Sequence, residues 1–329
     1  MTAMLAILVA AFLMSALLVR GGIAVARRVG FLSHPNPIVA SHEQPVALGG
    51  GAALVATILV VCLPLVSMGW LPVRVPLGIL LVFGLGLMDD ILALRPLPKL
   101  AIQGLIALIY LSLAPVPLWS LPLWVLFLLG AQNSWNLIDV MDGLLASVAA
   151  ACLLAVACMI MIANPPGRGL AMAAAAGSAA AAGFLVWNAH PARVYLGDAG
   201  SLSLGMLFGV VVVEVTPLDP RLLVPMLVAG LVPCFEMIFL MVERTKKGIP
   251  FYAGSPDHFA LRLLHKGYSV RFIVRRVFVA SMILAALGVL AAAAGLTSPV
   301  LACVTVSVLV AAVRAYRYLR ELPVAEVLR

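Results

Sequence analysis

Charge is what this sequence has least of. Only 10% of its 329 residues are Asp, Glu, Lys or Arg, whereas 64% are hydrophobic. Soluble globular chains carry roughly a quarter charged residues, so a water-facing surface cannot be assembled from this one. Cysteine adds no framework. Cys62, Cys152, Cys158, Cys234 and Cys303 all lie in apolar stretches. None forms a CxxC pair or stands beside histidine at ligand spacing, which excludes a zinc site and leaves small buried hydrophobes. There is no internal repeat and no linker long enough to separate domains. The first apolar stretch, Met1 to Val19, lacks a basic leading region and a small-residue cleavage site followed by a soluble domain. It reads as a retained helix rather than a signal peptide.

What the chain has in abundance is apolar runs. A spanning helix needs about 20 predominantly apolar residues. Candidates occur near 1–19, 48–69, 76–92, 100–116, 121–138, 144–163, 170–187, 201–217, 222–243, 273–295 and 299–313. The expected fold is all-α: one polytopic membrane domain over 1–329 with about eleven transmembrane helices, or ten. Of 21 Lys and Arg, only Arg74, Arg168 and Arg221 fall in one set of alternate loops, and the rest fall in the other. The positive-inside rule makes the rich set cytoplasmic, with the N-terminus outside and the C-terminus inside. The formal charge of +8 is then an orientation signal with anionic lipid head groups as partners, and not a nucleic-acid footprint.

That orientation sends Asp89, Asp90, Asp139, Asp142, Asp198 and Asp257 to the cytoplasmic side and only Asp219 to the other. Carboxylates at membrane depth are costly and mark function. The loops expected to carry chemistry lie near 20–47, 89–99, 133–143, 188–200 and 244–272. Asp89 and Asp90 end a helix, where mutual repulsion calls for a cation or a shared proton, with Lys99 or a metal as candidates. Asn133, Asn136, Asp139 and Asp142 recur every third position, which would lay two amides and two acids along one side of a helix. In Asn188-Ala-His190 through Gly197-Asp198-Ala-Gly200-Ser201, glycines permit close backbone approach, and a helix opening at Ser201 would offer free amides to a phosphate. Asp198 could hold Mg²⁺ against it. His258 and Arg262 lie four apart on the last polar loop, and Glu214 and Glu236, within helices, read as buried hydrogen-bonded groups or interfacial ones rather than catalytic acids.

In their order, these blocks resemble the polyprenyl-phosphate N-acetylhexosamine-1-phosphate transferase family of bacterial cell-envelope enzymes. The resemblance runs from His34-Pro-Asn36, His42 and Leu48-Gly-Gly-Gly51, through Asp89-Asp90, Lys99, Gln103 and Asn133–Gly143, to Asn188–Ser201 and Asp257-His258 with Arg262. It implies transfer of a sugar-1-phosphate from a UDP-sugar to undecaprenyl phosphate at the bacterial inner membrane, releasing UMP. The product would start a surface polymer such as lipopolysaccharide. Asp198 matches the Mg²⁺ ligand (Mn²⁺ being an alternative metal), and Asp89, Asp90, Asp139 and Asp142 match catalytic acids. Asn133, Asn136, Lys99, Asn188, His42, His258 and Arg262 match substrate-binding positions. A homodimer is compatible with the family.

Two departures bear on the donor. The first loop has Pro37-Ile-Val-Ala-Ser where many relatives carry a basic residue, and Ala260 and Leu261 replace histidines of the last loop. They point to a plain UDP-N-acetylhexosamine, UDP-N-acetylglucosamine or a deoxy relative, without a peptide. The competing reading is an ion-coupled transporter, which would place its acids near the bilayer midplane.

Overall fold

A computed structural model describes residues 2–33, 45–163, 167–294 and 298–324 of the chain, with side chains undescribed at 298–304. His34, Asn36 and His42 therefore lie outside the described residues. The chain forms helices α1 (Thr2–Val29), α2 (Gly50–Ser67), α3 (Arg74–Leu92), α4 (Pro96–Ser112) and α5 (Leu121–Leu137). There follow α6 (Leu144–Ala163), α7 (Arg168–Asn188), α8 (Gly197–Val215), α9 (Leu223–Ala229) and α10 (Leu231–Lys246). The last three are α11 (Phe259–His265), α12 (Val270–Ala293) and α13 (Ser298–Arg320). The only described strands, β1 (Leu32–Ser33) and β2 (Val46–Ala47), form a two-residue antiparallel hairpin.

Seven of these helices are long and apolar enough to cross a bilayer: α1, α2, α3, α6, α7, α8 and α12. An eighth span arises if α9 and α10, bent by 66° at Gly230, are taken together. The chain is thus a multi-pass helical membrane protein with seven or eight such spans among the described residues. The sequence suggested eleven. The difference falls on α4 and α5, helices of only 17 residues, and on α13.

The layering follows composition. In α8, 94% of the apolar window is buried, against 17% in α1 and 22% in α12. Its small residues explain this. A Cβ on Gly205 would lie 2.5 Å from the Ala131 carbonyl oxygen, so α5 meets α8 backbone to backbone. Such close approach is how helices associate where the solvent is as apolar as the side chains. Large apolar side chains point outward instead, among them Leu17 and Leu126, as a lipid solvent allows.

The bundle is tied by a few polar contacts. On α8, Glu214 accepts two hydrogen bonds from Arg74 of α3, at 2.6 and 2.8 Å, and one from the Tyr110 hydroxyl of α4 at 2.6 Å. Burying one carboxylate is tolerable only because it is fully paired.

Candidate active site

At the other end of α3 and α8 the acids converge. Asp89 lies in the last turn of α3, where its Oδ1 accepts from the Leu94 amide at 2.8 Å and its Oδ2 from the Lys99 ammonium at 3.0 Å. Lys99, in the first turn of α4, also donates to Asp198. Asn136, in the last turn of α5, donates to Asp198 Oδ1 and to Ser201 Oγ, both at 2.9 Å. Four elements thus deliver Asp89, Lys99, Asn136 and Asp198 to one spot.

Asp90 behaves differently from its neighbour. Its Oδ1 accepts from the Asp198 amide at 2.7 Å, and its Oδ2 from the Ala199 amide at 3.1 Å. It is therefore a cap for α8, supplied from 108 residues away, and its charge suits the positive end of the helix. Gly197, at φ +71°, permits this, since a Cβ there would sit 2.6 Å from Asp90 Oδ2. Two expectations change. Helix α8 begins at Gly197, so Asp198 lies inside its first turn and not before it. The first-turn amides expected to be free for a phosphate are partly taken by Asp90.

The four-residue row is also corrected. Helix α5 stops at Leu137, so only Asn133 and Asn136 ride on it. Asp139 and Asp142 lie in the turn before α6, where Gly143 takes φ +74°. Burial, then the charges of Asp198, Asp90 and Asp142, push the Asp139 carboxyl up to about 8. Asn133 donates to Gln103 Oε1 at 3.1 Å and so joins α5 to α4, leaving the buried Gln103 Nε2 without a partner. Asn188 spends its amide on backbone: its oxygen accepts from Gly143 N and its nitrogen donates to Val194 O, both at 2.9 Å. It braces two loops against each other. Asp142 Oδ2 meets His190 Nδ1 at 2.8 Å and the Ala192 amide at 3.0 Å, while its buried Oδ1 has no partner. The backbone of Tyr195 and Leu196 is held by Ala47, Gly50 and Gly51, which fixes the approach to Asp198.

His258 and Arg262 belong to a second cluster. His258 Nδ1 lies 2.7 Å from Glu236 of α10. Arg262 is 2% exposed, and its guanidinium donates to Glu243, to Asp257 and to the carbonyls of Leu319 and Arg320. With its donors spent inside the protein, Arg262 is a clasp between α11 and the end of α13, not an open binding group. Burial raises the Asp257 carboxyl, but Lys247 and Arg262 outweigh it and hold that group below the usual carboxylate range. Sequence reading missed the Asp90 cap and the Arg74–Glu214 tie, because neither partner is near the other in the chain. Glu214 and Glu236 are the buried, hydrogen-bonded acids that their apolar surroundings suggested.

Fold and site together define a multi-pass helical membrane protein with an acidic, lysine-bridged centre at one end of its bundle. The sequence profile of glycosyl transferase family 4 matches residues 73–216, the stretch that contributes Asp89, Lys99, Asn136 and Asp198. The chain is 26% identical over 280 residues to a probable undecaprenyl-phosphate N-acetylglucosaminyl 1-phosphate transferase of Bacillus subtilis, covering 79% of this chain and 76% of that protein. It is 34% identical over 174 residues to the phospho-N-acetylmuramoyl-pentapeptide-transferase of Bacillus licheniformis, covering 52% of this chain and 51% of that protein. With the corresponding enzyme of Synechococcus sp. it shares 39% identity over 124 residues, 37% of this chain and 34% of that one. Over residues 73–216 the chain is similar to glycosyl transferase family 4. It spans three quarters of the first of these relatives and about half or less of the other two.

Proposed function

We propose that the protein transfers N-acetylhexosamine-1-phosphate from a UDP-sugar to undecaprenyl phosphate, at the cytoplasmic face of the bacterial inner membrane. The observation that carries this is the convergence of Asp89, Lys99, Asn136 and Asp198 from α3, α4, α5 and α8. A lipid-borne phosphate reaches such an end of the bundle from the bilayer, and a nucleotide reaches it from water. In the reaction, an oxygen of the lipid phosphate forms a bond to the sugar-bearing phosphorus. The anhydride bond breaks and UMP leaves with its electron pair. Phosphoryl transfer asks the protein for in-line positioning and charge neutralisation more than for covalent chemistry.

The donor set fits a divalent cation. Asp89 and Asp198 already share one cation, the Lys99 ammonium. With Asp90 and Asp139 beside them, carboxylates outnumber ammonium groups. Mg²⁺ favours one or two carboxylates completed by water and substrate phosphate oxygens, and Asp198 with Asp89 would hold it. Bound there, it would neutralise the diphosphate of the donor. The protein's own groups do the rest. Lys99 balances the acids and lies within reach of a phosphate, Asn136 fixes the Asp198 carboxylate, and Asp90 fixes the helix that presents it. Asp139, raised to about 8, holds or yields a proton near neutral pH.

The donor we infer is a plain UDP-N-acetylhexosamine, because Ala260 and Leu261, both buried, stand where the resemblance places the histidines of the peptide-donor enzymes. Purified protein given undecaprenyl phosphate and a panel of UDP-sugars should release UMP with UDP-N-acetylglucosamine or a deoxy relative. Turnover of UDP-N-acetylmuramoyl-pentapeptide alone would overturn the donor, and no UMP from any sugar would overturn the reaction.

A further inference from the structure

A second pocket lies on the other flank of Asp142, between α6, α7 and the first turns of α12. It encloses about 400 Å³ and includes Asp142, Ser147, Leu185, His190, Arg271 and Arg275 in its lining, with Val274 and Phe278 as apolar wall. Cavities of this size accommodate small ligands or one limb of a larger one.

Two features define what it would take. Arg271 and Arg275, one turn apart at the start of α12, have no carboxylate within ion-pair distance among the described residues. Arg271 reaches only the His190 carbonyl, at 3.5 Å. The remaining wall is apolar and continues along α12, a helix mostly open to lipid.

We propose that this pocket binds an anionic glycerophospholipid. Its phosphate meets Arg271 and Arg275, and the start of an acyl chain lies along Leu185, Val274 and Phe278. Two cations without carboxylate partners beside an apolar slot match such a lipid better than a neutral or zwitterionic one. The assignment is independent of the transfer reaction.

The test is native mass spectrometry of the full chain, purified and delipidated in neutral detergent. The probes are phosphatidylglycerol, phosphatidic acid, phosphatidylcholine, undecaprenyl phosphate and UMP. One phosphatidylglycerol or phosphatidic acid should bind saturably per chain, more tightly than phosphatidylcholine. Replacing both Arg271→Ala and Arg275→Ala should weaken it roughly 30-fold. Arg276→Ala should leave it unchanged, because Arg276 stacks on Phe272, 5.0 Å from the ring centre. Should the double variant fail to fold, Val274→Trp narrows the slot without touching charge and should also lower affinity. Equal binding of phosphatidylcholine, or undiminished binding in either pocket variant, would overturn the proposal. Displacement of phosphatidylglycerol by UMP or undecaprenyl phosphate would overturn it too, by giving the pocket to a substrate.

Discussion

Replacing Asp90 separates a group that shapes the site from one that reacts in it. In Asp90→Ala, the amides of Asp198 and Ala199 lose the acceptors they now hold at 2.7 and 3.1 Å. A buried donor left alone costs about 1–3 kcal/mol, and losing a charge at a helix N-terminus costs about 0.3–1 kcal/mol. The partly buried setting puts the total near 2–4 kcal/mol. At roughly 2–4 °C per kcal/mol for a large chain, the melting temperature in detergent should fall by about 5–10 °C. Asp90→Asn keeps one acceptor oxygen and should lose about a third of that. Turnover should follow the same order, with Asn retaining more activity than Ala, because the damage passes through the placement of Asp198. A reacting carboxylate would instead lose activity equally in both variants with no thermal shift. A melting temperature for Asp90→Ala within about 1 °C of the parent would refute the capping role.

Other expectations follow from the same geometry. Asp198→Asn should abolish turnover in folded protein, and excess chelator should do the same to the parent; full activity in chelator would sink the Mg²⁺ assignment. The folded Asp139 carboxyl, at about 8, stands well above the unfolded value of about 3.9. Its contribution to stability is complete below the unfolded value and is lost as pH climbs through about 8. Thermal stability should therefore decline over that window in the parent and less in Asp139→Asn, and parallel profiles would dismiss the shift. Arg262→Ala leaves the buried Asp257 to Lys247 and Glu243 to the Tyr316 hydroxyl, should cost up to about 3–5 kcal/mol, and should not be rescued by lysine, which lacks the planar fork; a stable Arg262→Lys protein would contradict the clasp. Single cysteines at Pro98 and Gly254 should react with impermeant reagents only from the cytoplasmic side, and one at the exposed Leu118 only from outside. The reverse pattern would invert the topology.

What the sequence made legible is what depends on local pattern. Apolar runs announced helices because the bilayer imposes length and composition segment by segment. Asn133 and Asn136 fall on one helix as their spacing required, and Lys99 does balance Asp89. The row failed past Leu137 because Gly143, at φ +74°, belongs to a turn that periodicity does not register. Asn188 and Arg262 looked like ligand groups, and the structure spends their hydrogen bonds on backbone and buried acids. Nothing local distinguishes a polar side chain that faces substrate from one that braces a loop. The two partners of Asp90, and the partner of Arg74, are set by how α3 lies on α8, which no window of sequence contains.

That packing also makes a ruler. On α3, sixteen residues separate Arg74 from Asp90, and on the antiparallel α8, sixteen separate Asp198 from Glu214. At 1.5 Å per residue each interval is about 24 Å, and both ends are pinned, by the arginine tie at one end and the helix cap at the other. One residue added to either helix would turn everything beyond it by about 100° and break one of the two pins. Change in length is therefore confined to the connections between helices. The distance from the Arg74–Glu214 tie to the acidic centre is held constant, while the loops between the helices remain free to vary.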